Sequence, residues 1–148
     1  MNSERITISI IFGALILTGF SGIQLGPIPQ DASAQTSTRI VGYFPYWESG
    51  DVSSIDYSKL TDIIYFHIWP NSDGSLNTSA VNYYDLNTIR DQAHSSGVRV
   101  LIAVGGGGVS DEFPIMAYDD VARSNFVNNI TDFILDNNLD GVDLDWET

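Results

Sequence analysis

The most informative residues in this sequence are the carboxylates that cluster near residue 147. The segment 140–147 reads Asp-Gly-Val-Asp-Leu-Asp-Trp-Glu. Side chains of a β-strand alternate between its two faces, so Asp143, Asp145 and Glu147 would share one face, about 7 Å apart between successive Cα atoms. Three ionised carboxylates at that spacing repel one another, and no gain in stability explains their presence. We therefore interpret this segment as a catalytic site built on carboxylates.

Two other interpretations of the same stretch remain open: a metal site and a solvent-facing edge strand. The calcium-binding loop of the EF-hand fits at five positions, namely Asp136, Asn138, Asp140, Gly141 and Glu147. However, Asp143 stands where that loop normally places an apolar side chain, and the sequence contains no second loop of this kind. We therefore predict no metal and no cofactor.

The composition excludes several classes of function. Lys and Arg together number 6 against 19 Asp and Glu, a net charge of −13. Because the basic residues form no cluster, we expect no nucleic-acid partner. The absence of Cys excludes disulfides, thiolate zinc sites and cysteine nucleophiles. With 43% hydrophobic and 17% charged residues, the chain has the composition of a folded domain.

The first 34 residues are interpreted as an export signal. Arg5 precedes a mostly apolar run over residues 6–20, which is long for a signal-peptide core and short for a membrane-spanning helix. A small-x-small cleavage pattern, Ala-Ser-Ala, occupies residues 32–34. We expect residues 1–34 to be a signal peptide and the protein to be secreted or extracytoplasmic. An uncleaved N-terminal membrane anchor is the alternative. Residues 35–38 are interpreted as a linker and residues 39–148 as the folded domain.

The folded part alternates strands with helices. Short runs rich in β-branched and aromatic residues predict strands at 40–44, 62–68, 99–104 and 140–147. Apolar residues at helical spacing predict one helix over 82–96 and another from residue 119 or 120 to about 136. Alternation of this kind favours an α/β fold, with a parallel sheet covered by outer helices.

The carboxylate segment resembles the signature of family 18 of the glycoside hydrolases, the family of the chitinases. That signature, Asp-x-x-Asp-x-Asp-x-Glu, lies on the fourth strand of a (β/α)₈ TIM barrel, and all four of its acidic positions are matched, by Asp140, Asp143, Asp145 and Glu147. Residues 41–47, 60–65 and 104–106 are similar to the first three strands of the family. A complete barrel takes about 250 residues. The resemblance therefore implies a partial barrel of about four strands over residues 39–148, with the C-terminal half of the barrel missing.

The resemblance also implies a reaction. Family 18 enzymes hydrolyse β-1,4-linked N-acetylglucosamine polymers such as chitin with retention of configuration, using the substrate's own 2-acetamido group as the nucleophile. Glu147 would be the general acid and then the base, Asp145 would orient the acetamido group, and Asp143 would share a proton with Asp145. Asp140 would hold the start of the strand. We expect residues 35–148 alone to have little or no activity and to aggregate or dimerise.

Candidate substrate contacts follow the ends of the predicted strands. Tyr46 and Trp47 follow strand one and Trp69 follows strand two, where aromatic rings can stack on pyranose rings. The resemblance implies that Tyr43 donates a hydrogen bond to Asp143. Gly105 and Gly106 are interpreted as backbone that must clear a ligand; together these residues form the predicted substrate-binding set.

Two positions depart from the family pattern. Ala103 stands where the family usually has a serine, which removes a hydroxyl donor expected near Asp143. His67 stands where we would expect a phenylalanine, and it is interpreted as a core or rim histidine. Two other functions remain open: an endo-β-N-acetylglucosaminidase acting on glycans or peptidoglycan, and a non-catalytic chitinase-like protein that binds sugars. The acid at Glu147 argues against the latter.

Overall fold

The computed structural model describes residues 38–48 and 51–147. The predicted signal peptide or anchor, residues 1–34, and residues 35–37 of the predicted linker lie outside the described residues. Within the described ranges, none of the helices has the length and apolar composition needed to cross a membrane.

A parallel sheet forms the centre of the fold. Its strands are β1 (Val41–Pro45), β2 (Asp62–Pro70), β4 (Arg99–Gly105) and β5 (Gly141–Asp145), and they lie in that order across the sheet. A two-residue strand, β3 (Leu76–Asn77), pairs antiparallel with the end of β2. The predicted α/β class with a parallel sheet is therefore confirmed.

Three helices connect these strands: α1 (Tyr83–Ser95), α2 (Glu112–Tyr118) and α3 (Asp120–Asp136). Asn82 caps α1 and Asp119 caps α3, each by accepting backbone N–H bonds with its side-chain oxygen. Single 3₁₀ turns at Tyr46–Glu48, Val52–Ser54 and Tyr57–Lys59 fill the connection between β1 and β2.

The core lies where the outer helices cover the central strands. β4 is buried at five of its seven positions, because it has a strand on each side and a side-chain layer on each face. The apolar residues that α1 and α3 bury are Leu86, Ile89, Ala93, Ala122, Phe126, Ile130 and Phe133. Full burial of each large apolar side chain stabilises the fold by about 1.5–3 kcal/mol.

At the amino-terminal ends of the parallel strands, a buried carboxylate connects neighbouring strands. Asp62, only 1% exposed, accepts hydrogen bonds from Arg39, from Arg99 at 2.8 Å and from the Thr61 hydroxyl at 2.7 Å. Arg39 precedes β1 and Arg99 begins β4, so this cluster ties three neighbouring strands together through charge-assisted bonds.

Apart from one-residue shifts at several element ends and the short strand β3, the main differences from the sequence-based boundaries concern β2, α2 and β5. β2 runs two residues beyond the predicted end, because Trp69 and Pro70 pair with β3. Helix α2 was not predicted, since it is only seven residues long and contains Pro114 in its first turn. β5 ends at Asp145, so Glu147 lies beyond the strand rather than in it.

The outer face of β5 is also less covered than we expected. Strand alternation predicts that Leu144 and Trp146 share an apolar face that can bury against helices, but they are 59% and 46% exposed. The reason is that β5 is the edge strand of the sheet, with no element beyond it among the described residues.

Candidate active site

The carboxyl ends of the parallel strands meet at one edge of the sheet, and the predicted catalytic residues lie there. A cavity of about 370 Å³ opens at this edge, lined by Tyr43, Pro45, Trp47, Phe66 and Asp145. Its lining comes from β1 and the turn after it, from β2 and from β5, and it brings together residues as far apart in sequence as Tyr43 and Asp145. The cavity thus combines aromatic surface with a carboxylate from the predicted catalytic segment.

Two of the predicted catalytic carboxylates project from the same face of β5. Asp143 lies opposite Ala103 in the register with β4, and Asp145 lies opposite Gly105, two residues further along each strand. Both are partly buried. Ala103 has no hydroxyl to donate to Asp143, but the Tyr43 hydroxyl on β1 donates to Asp143 Oδ2 at 2.8 Å, as the resemblance implied.

The hydrogen bond between Tyr43 and Asp143 changes the acidity of the phenol. The pKa of Tyr43 is raised to about 12, chiefly by this hydrogen bond and in addition by partial burial and by the negative charges of Asp143 and Asp145. Tyr43 therefore stays protonated, and remains a hydrogen-bond donor, across the whole neutral and mildly alkaline range.

Asp145 is held through its backbone by the glycines that follow β4. The Gly106 N–H donates to the Asp145 carbonyl at 2.7 Å. Gly105 has a φ of +103°, and a Cβ at this position would overlap the Asp145 carbonyl oxygen. Gly106 has a φ of +109°, and a Cβ there would lie 2.6 Å from the Phe66 ring. Both positions therefore require glycine for the close approach of β4 to β5 and to β2.

Glu147 lies two residues beyond the end of β5, where it is exposed at the edge of the site. Its backbone N–H donates to the Ser110 hydroxyl at 3.2 Å. Its Oε2 lies 3.2 Å from the point that a Cβ on Gly107 would occupy, so the carboxylate rests over that glycine. Sequence reasoning missed Ser110, for which the only available signal was its position just after the glycine run 105–108.

Asp140 lies at the opposite end of β5 from the cavity. Its Oδ2 accepts a 2.7 Å hydrogen bond from the Val100 N–H and lies 2.8 Å from His94 Nε2. These contacts connect the residue before β5 to β4 and to the last turn of α1. The geometry is that of a structural tie at the start of the strand, the position that the sequence analysis expected.

The predicted aromatic contacts divide into two groups. Trp47 is 60% exposed and lines the cavity together with Tyr43. Tyr46 and Trp69 do not line it; their rings pack on His67, at centroid distances of 5.8 and 5.5 Å. Phe66, which the sequence analysis did not single out, lines the cavity and makes edge contacts with Tyr43 and Trp47, at 6.3 and 6.0 Å.

His67 is buried among these rings, with 7% of its surface exposed. Burial lowers the pKa of its imidazole, and this effect outweighs the Gly105 backbone carbonyl and the Asp145 charge, which both favour the protonated form. Its Nδ1 is buried without a hydrogen-bond partner in the described part of the chain. A neutral ring that packs like an aromatic side chain is the form that suits this environment.

The stretch that matched the EF-hand pattern does not form a continuous calcium-binding loop. Residue 136 is the last residue of α3, and residues 141–145 form a strand paired with β4. Among residues 38–48 and 51–147, no group of three or more His, Cys, Asp or Glu side chains is arranged to hold a metal ion.

Comparison with known proteins places this geometry in a family. Residues 39–148 match the family model described as glycosyl hydrolases family 18. A chitinase-like effector of Moniliophthora perniciosa is 32% identical over 111 residues, which cover 72% of this chain and 25% of that protein. The secreted chitinase LysM12 of Penicillium expansum is 31% identical over 128 residues, which cover 78% of this chain and 8% of that protein.

Solved structures show the same architecture. The group IV chitinase of Ostrinia furnacalis, in complex with allosamidin, superposes with a TM-score of 0.66 at 28% identity, over 74% of this chain and 33% of that chain. A chitinase from Bacteroides thetaiotaomicron gives a TM-score of 0.67 at 29% identity, over 75% of this chain and 36% of that chain. The chain thus spans about a third of these solved structures, which fits the predicted partial barrel.

Proposed function

Because the chain belongs to family 18 of the glycosyl hydrolases, we propose that it carries the acid–base strand of a site that hydrolyses β-1,4-linked N-acetylglucosamine polymers such as chitin. The observation that carries this proposal is the placement of Asp143, Asp145 and Glu147 at the carboxyl end of β5, beside a cavity lined by aromatic rings. Active sites of (β/α)₈ enzymes lie at that end of the strands.

In the proposed reaction, Glu147 donates a proton to the glycosidic oxygen as the bond between that oxygen and the anomeric carbon breaks. The carbonyl oxygen of the substrate's 2-acetamido group attacks the anomeric carbon from the opposite face and closes an oxazolinium ring. Glu147 then takes a proton from the water that opens the ring. Two inversions at the same carbon retain its configuration. The exposed position of Glu147, beyond the strand, leaves room for the leaving sugar.

Asp145 and Asp143 act in this scheme through hydrogen bonds and charge. Asp145 lines the cavity, where its carboxylate can accept the acetamido N–H and offset the positive charge that develops on the ring. Asp143 lies behind it and accepts the Tyr43 hydrogen bond. In this proposal Asp143 shares a proton with Asp145, and Tyr43 donates to Asp143 when that carboxylate is ionised, because the pKa of Tyr43 is then raised to about 12.

Substrate recognition in this proposal relies on aromatic stacking in the cavity. Trp47 and Tyr43 expose ring surface beside Asp145, and such faces can pack against the apolar faces of pyranose rings. Tyr46 and Trp69 pack against His67 and do not line the cavity. Since the Ostrinia chitinase is described in complex with allosamidin, we propose that the same compound competes for this site.

The proposal extends to the whole protein and its location. The chain covers 25% of its Moniliophthora relative, so we propose that the C-terminal half of the barrel completes the site and that residues 35–148 alone have little turnover. One relative is named a secreted chitinase, which supports export directed by residues 1–34, with an N-terminal anchor as the alternative.

The test is the turnover of a soluble chitin oligosaccharide by the whole protein with Glu147→Gln. We expect kcat to fall by at least about 100-fold, while the affinity for the oligosaccharide changes little, because the amide cannot transfer a proton but keeps the size of the side chain. Glu112→Gln, on α2 and outside the cavity, is the matched control and should retain turnover. Unchanged kcat in Glu147→Gln would remove Glu147 from the acid role.

A sugar-binding function without hydrolysis is the second candidate. It is favoured by one observation, that a relative at 32% identity is named a chitinase-like effector. Binding of the chitin oligosaccharide by the whole protein, measured calorimetrically without any release of shorter products, would support it over hydrolysis.

A further inference from the structure

Ser110 is a buried polar residue that the proposed reaction does not use directly. It lies between β4 and α2 and is 5% exposed. Among the described residues, the only other buried polar or charged side chains are those of Asp62, His67 and Asp85. A hydroxyl buried to this extent needs hydrogen-bond partners to offset its loss of water.

The partners of the Ser110 hydroxyl all belong to the backbone around the site. Its Oγ lies 3.0 Å from the Gly106 carbonyl oxygen and 3.3 Å from that of Asp145, and it accepts from the Glu147 N–H at 3.2 Å. A hydroxyl has one proton to donate and two lone pairs to accept with. Its proton is therefore shared between two carbonyls, while one lone pair holds the peptide N–H of Glu147.

The hydrogen bond from the Glu147 N–H to Ser110 lies just beyond the point where β5 stops pairing with β4. The last register pair between β4 and β5 is Gly105 with Asp145, so the backbone of Glu147 has no ladder partner. The same connection that carries Ser110 also carries Gly107, over which the Glu147 carboxylate rests. Residues 105–110 thus contact Glu147 at both its backbone and its carboxylate.

We propose that Ser110 is a positioning residue for Glu147, whose hydroxyl joins the Glu147 N–H to the Asp145 and Gly106 carbonyls and so fixes where the carboxylate stands. The consequence for catalysis rests on the proposed function, in which Glu147 is the acid. A misplacement of about 1 Å at a reacting group can cost on the order of 100-fold in rate. Ser110 therefore affects proton transfer without touching the substrate.

The first test is amide hydrogen exchange at Glu147 in the full chain, measured by NMR. We expect the Glu147 N–H to be protected in the wild type and Ser110→Ala to reduce that protection about 10-fold, with the core Ile102 N–H unchanged. The matched control is Ser124→Ala, which removes a hydroxyl bonded to the Asp120 carbonyl on α3 and should leave Glu147 exchange unaltered. A Glu147 N–H that is unprotected in the wild type overturns the proposal.

Ser110→Cys covers the case in which Ser110→Ala does not fold, because a thiol has nearly the size of the hydroxyl but accepts hydrogen bonds weakly. It should lower Glu147 protection while the protein stays folded, and unchanged protection overturns the proposal.

Turnover by the whole protein is the second test. Ser110→Ala, or Ser110→Cys if the alanine variant is unfolded, should lower kcat about 10- to 100-fold with little change in KM. An unchanged kcat overturns the positioning role. If wild type and Glu147→Gln are equally inactive, the proposed function fails, and Glu147 exchange alone decides whether Ser110 positions that residue.

Discussion

The Tyr43 hydroxyl donates a 2.8 Å hydrogen bond to Asp143 Oδ2, across 100 residues of sequence and from one edge strand of the sheet to the other. In a flat sheet about 14 Å would separate these strands, and side chains perpendicular to the sheet could not meet. The contact therefore requires the sheet to curve toward the face that carries the carboxylates. Curvature of this kind is what a closed barrel of parallel strands needs.

Tyr43 provides a direct measure of this contact through its ionisation. Asp143→Asn removes the charge and weakens the hydrogen bond, so we expect the pKa of Tyr43 to fall from about 12 toward 10. Burial raises the pKa of Tyr57, and it should be unaffected by this substitution, which makes Tyr57 an internal control. Carbon-13 NMR of the tyrosine rings across an alkaline titration checks both values. A Tyr43 pKa that does not change in Asp143→Asn would contradict the contact.

The same ionisation affects stability at high pH. The folded-state pKa of Tyr43 lies above its unfolded value of 10.0, so the unfolded state loses its proton first as the pH rises. The contribution of Tyr43 to stability is therefore complete below about pH 10 and decreases between pH 10 and 12. Tyr43→Phe should lose less stability than the wild type over this window, measured by urea unfolding. Parallel pH profiles for the two proteins would exclude this linkage.

Substitution by alanine should have different effects at Gly106 and at Gly107, two neighbouring glycines in the connection after β4. Gly106 has a positive φ and no room for a methyl group beside Phe66, so Gly106→Ala should cost about 2–5 kcal/mol of unfolding free energy. A Cβ on Gly107 would meet only the Glu147 carboxylate, so Gly107→Ala should change stability by less than about 0.5 kcal/mol and lower turnover instead. Thermal unfolding and oligosaccharide hydrolysis separate the two effects, and equal destabilisation by both variants would be the contrary result.

His67 should weaken the fold in mild acid. Its pKa in the folded state is lowered, chiefly by burial, so the unfolded state binds a proton that the folded state resists. Its contribution to stability is present above about pH 6.5 and decreases as the pH falls toward the lowered value. His67→Phe should therefore lose less unfolding free energy than the wild type between pH 7.5 and 5. NMR titration identifies the ring, because His94 is the only other histidine, and a normal His67 pKa would contradict this account.

Asp140 should contribute to stability from the far end of β5. Asp140→Ala leaves the Val100 N–H without its side-chain acceptor, and we expect a loss of about 2 kcal/mol in urea unfolding. A double-mutant cycle with His94→Ala should give a coupling of about 1 kcal/mol or less, since both side chains are about a third exposed. If Asp140→Ala lowered turnover while leaving the free energy of unfolding unchanged, Asp140 would instead belong to the site.

Much of the fold could be predicted from the sequence because the relevant signals are local. Continuous apolar runs marked the central strands, helical spacing marked α1 and α3, and their alternation indicated a parallel sheet. Helix α2 was missed, because seven residues with an internal proline carry too little periodicity. The end of β5 was misplaced by two residues, because alternation continues to Glu147 whereas pairing with β4 stops at Asp145.

The acidic segment itself could be recognised from its spacing alone, since a two-residue period decides which carboxylates share a strand face. What surrounds those carboxylates was decided by the tertiary structure. The hydrogen bond between Tyr43 and Asp143 depends on the curvature of the whole sheet. The position of Glu147 against Ser110 and Gly107 depends on where β4 ends. The burial of His67 depends on rings from β1 and β2 packing around it. Such contacts join residues far apart in the chain, and their geometry is set by packing between elements, which no local pattern of residue types contains.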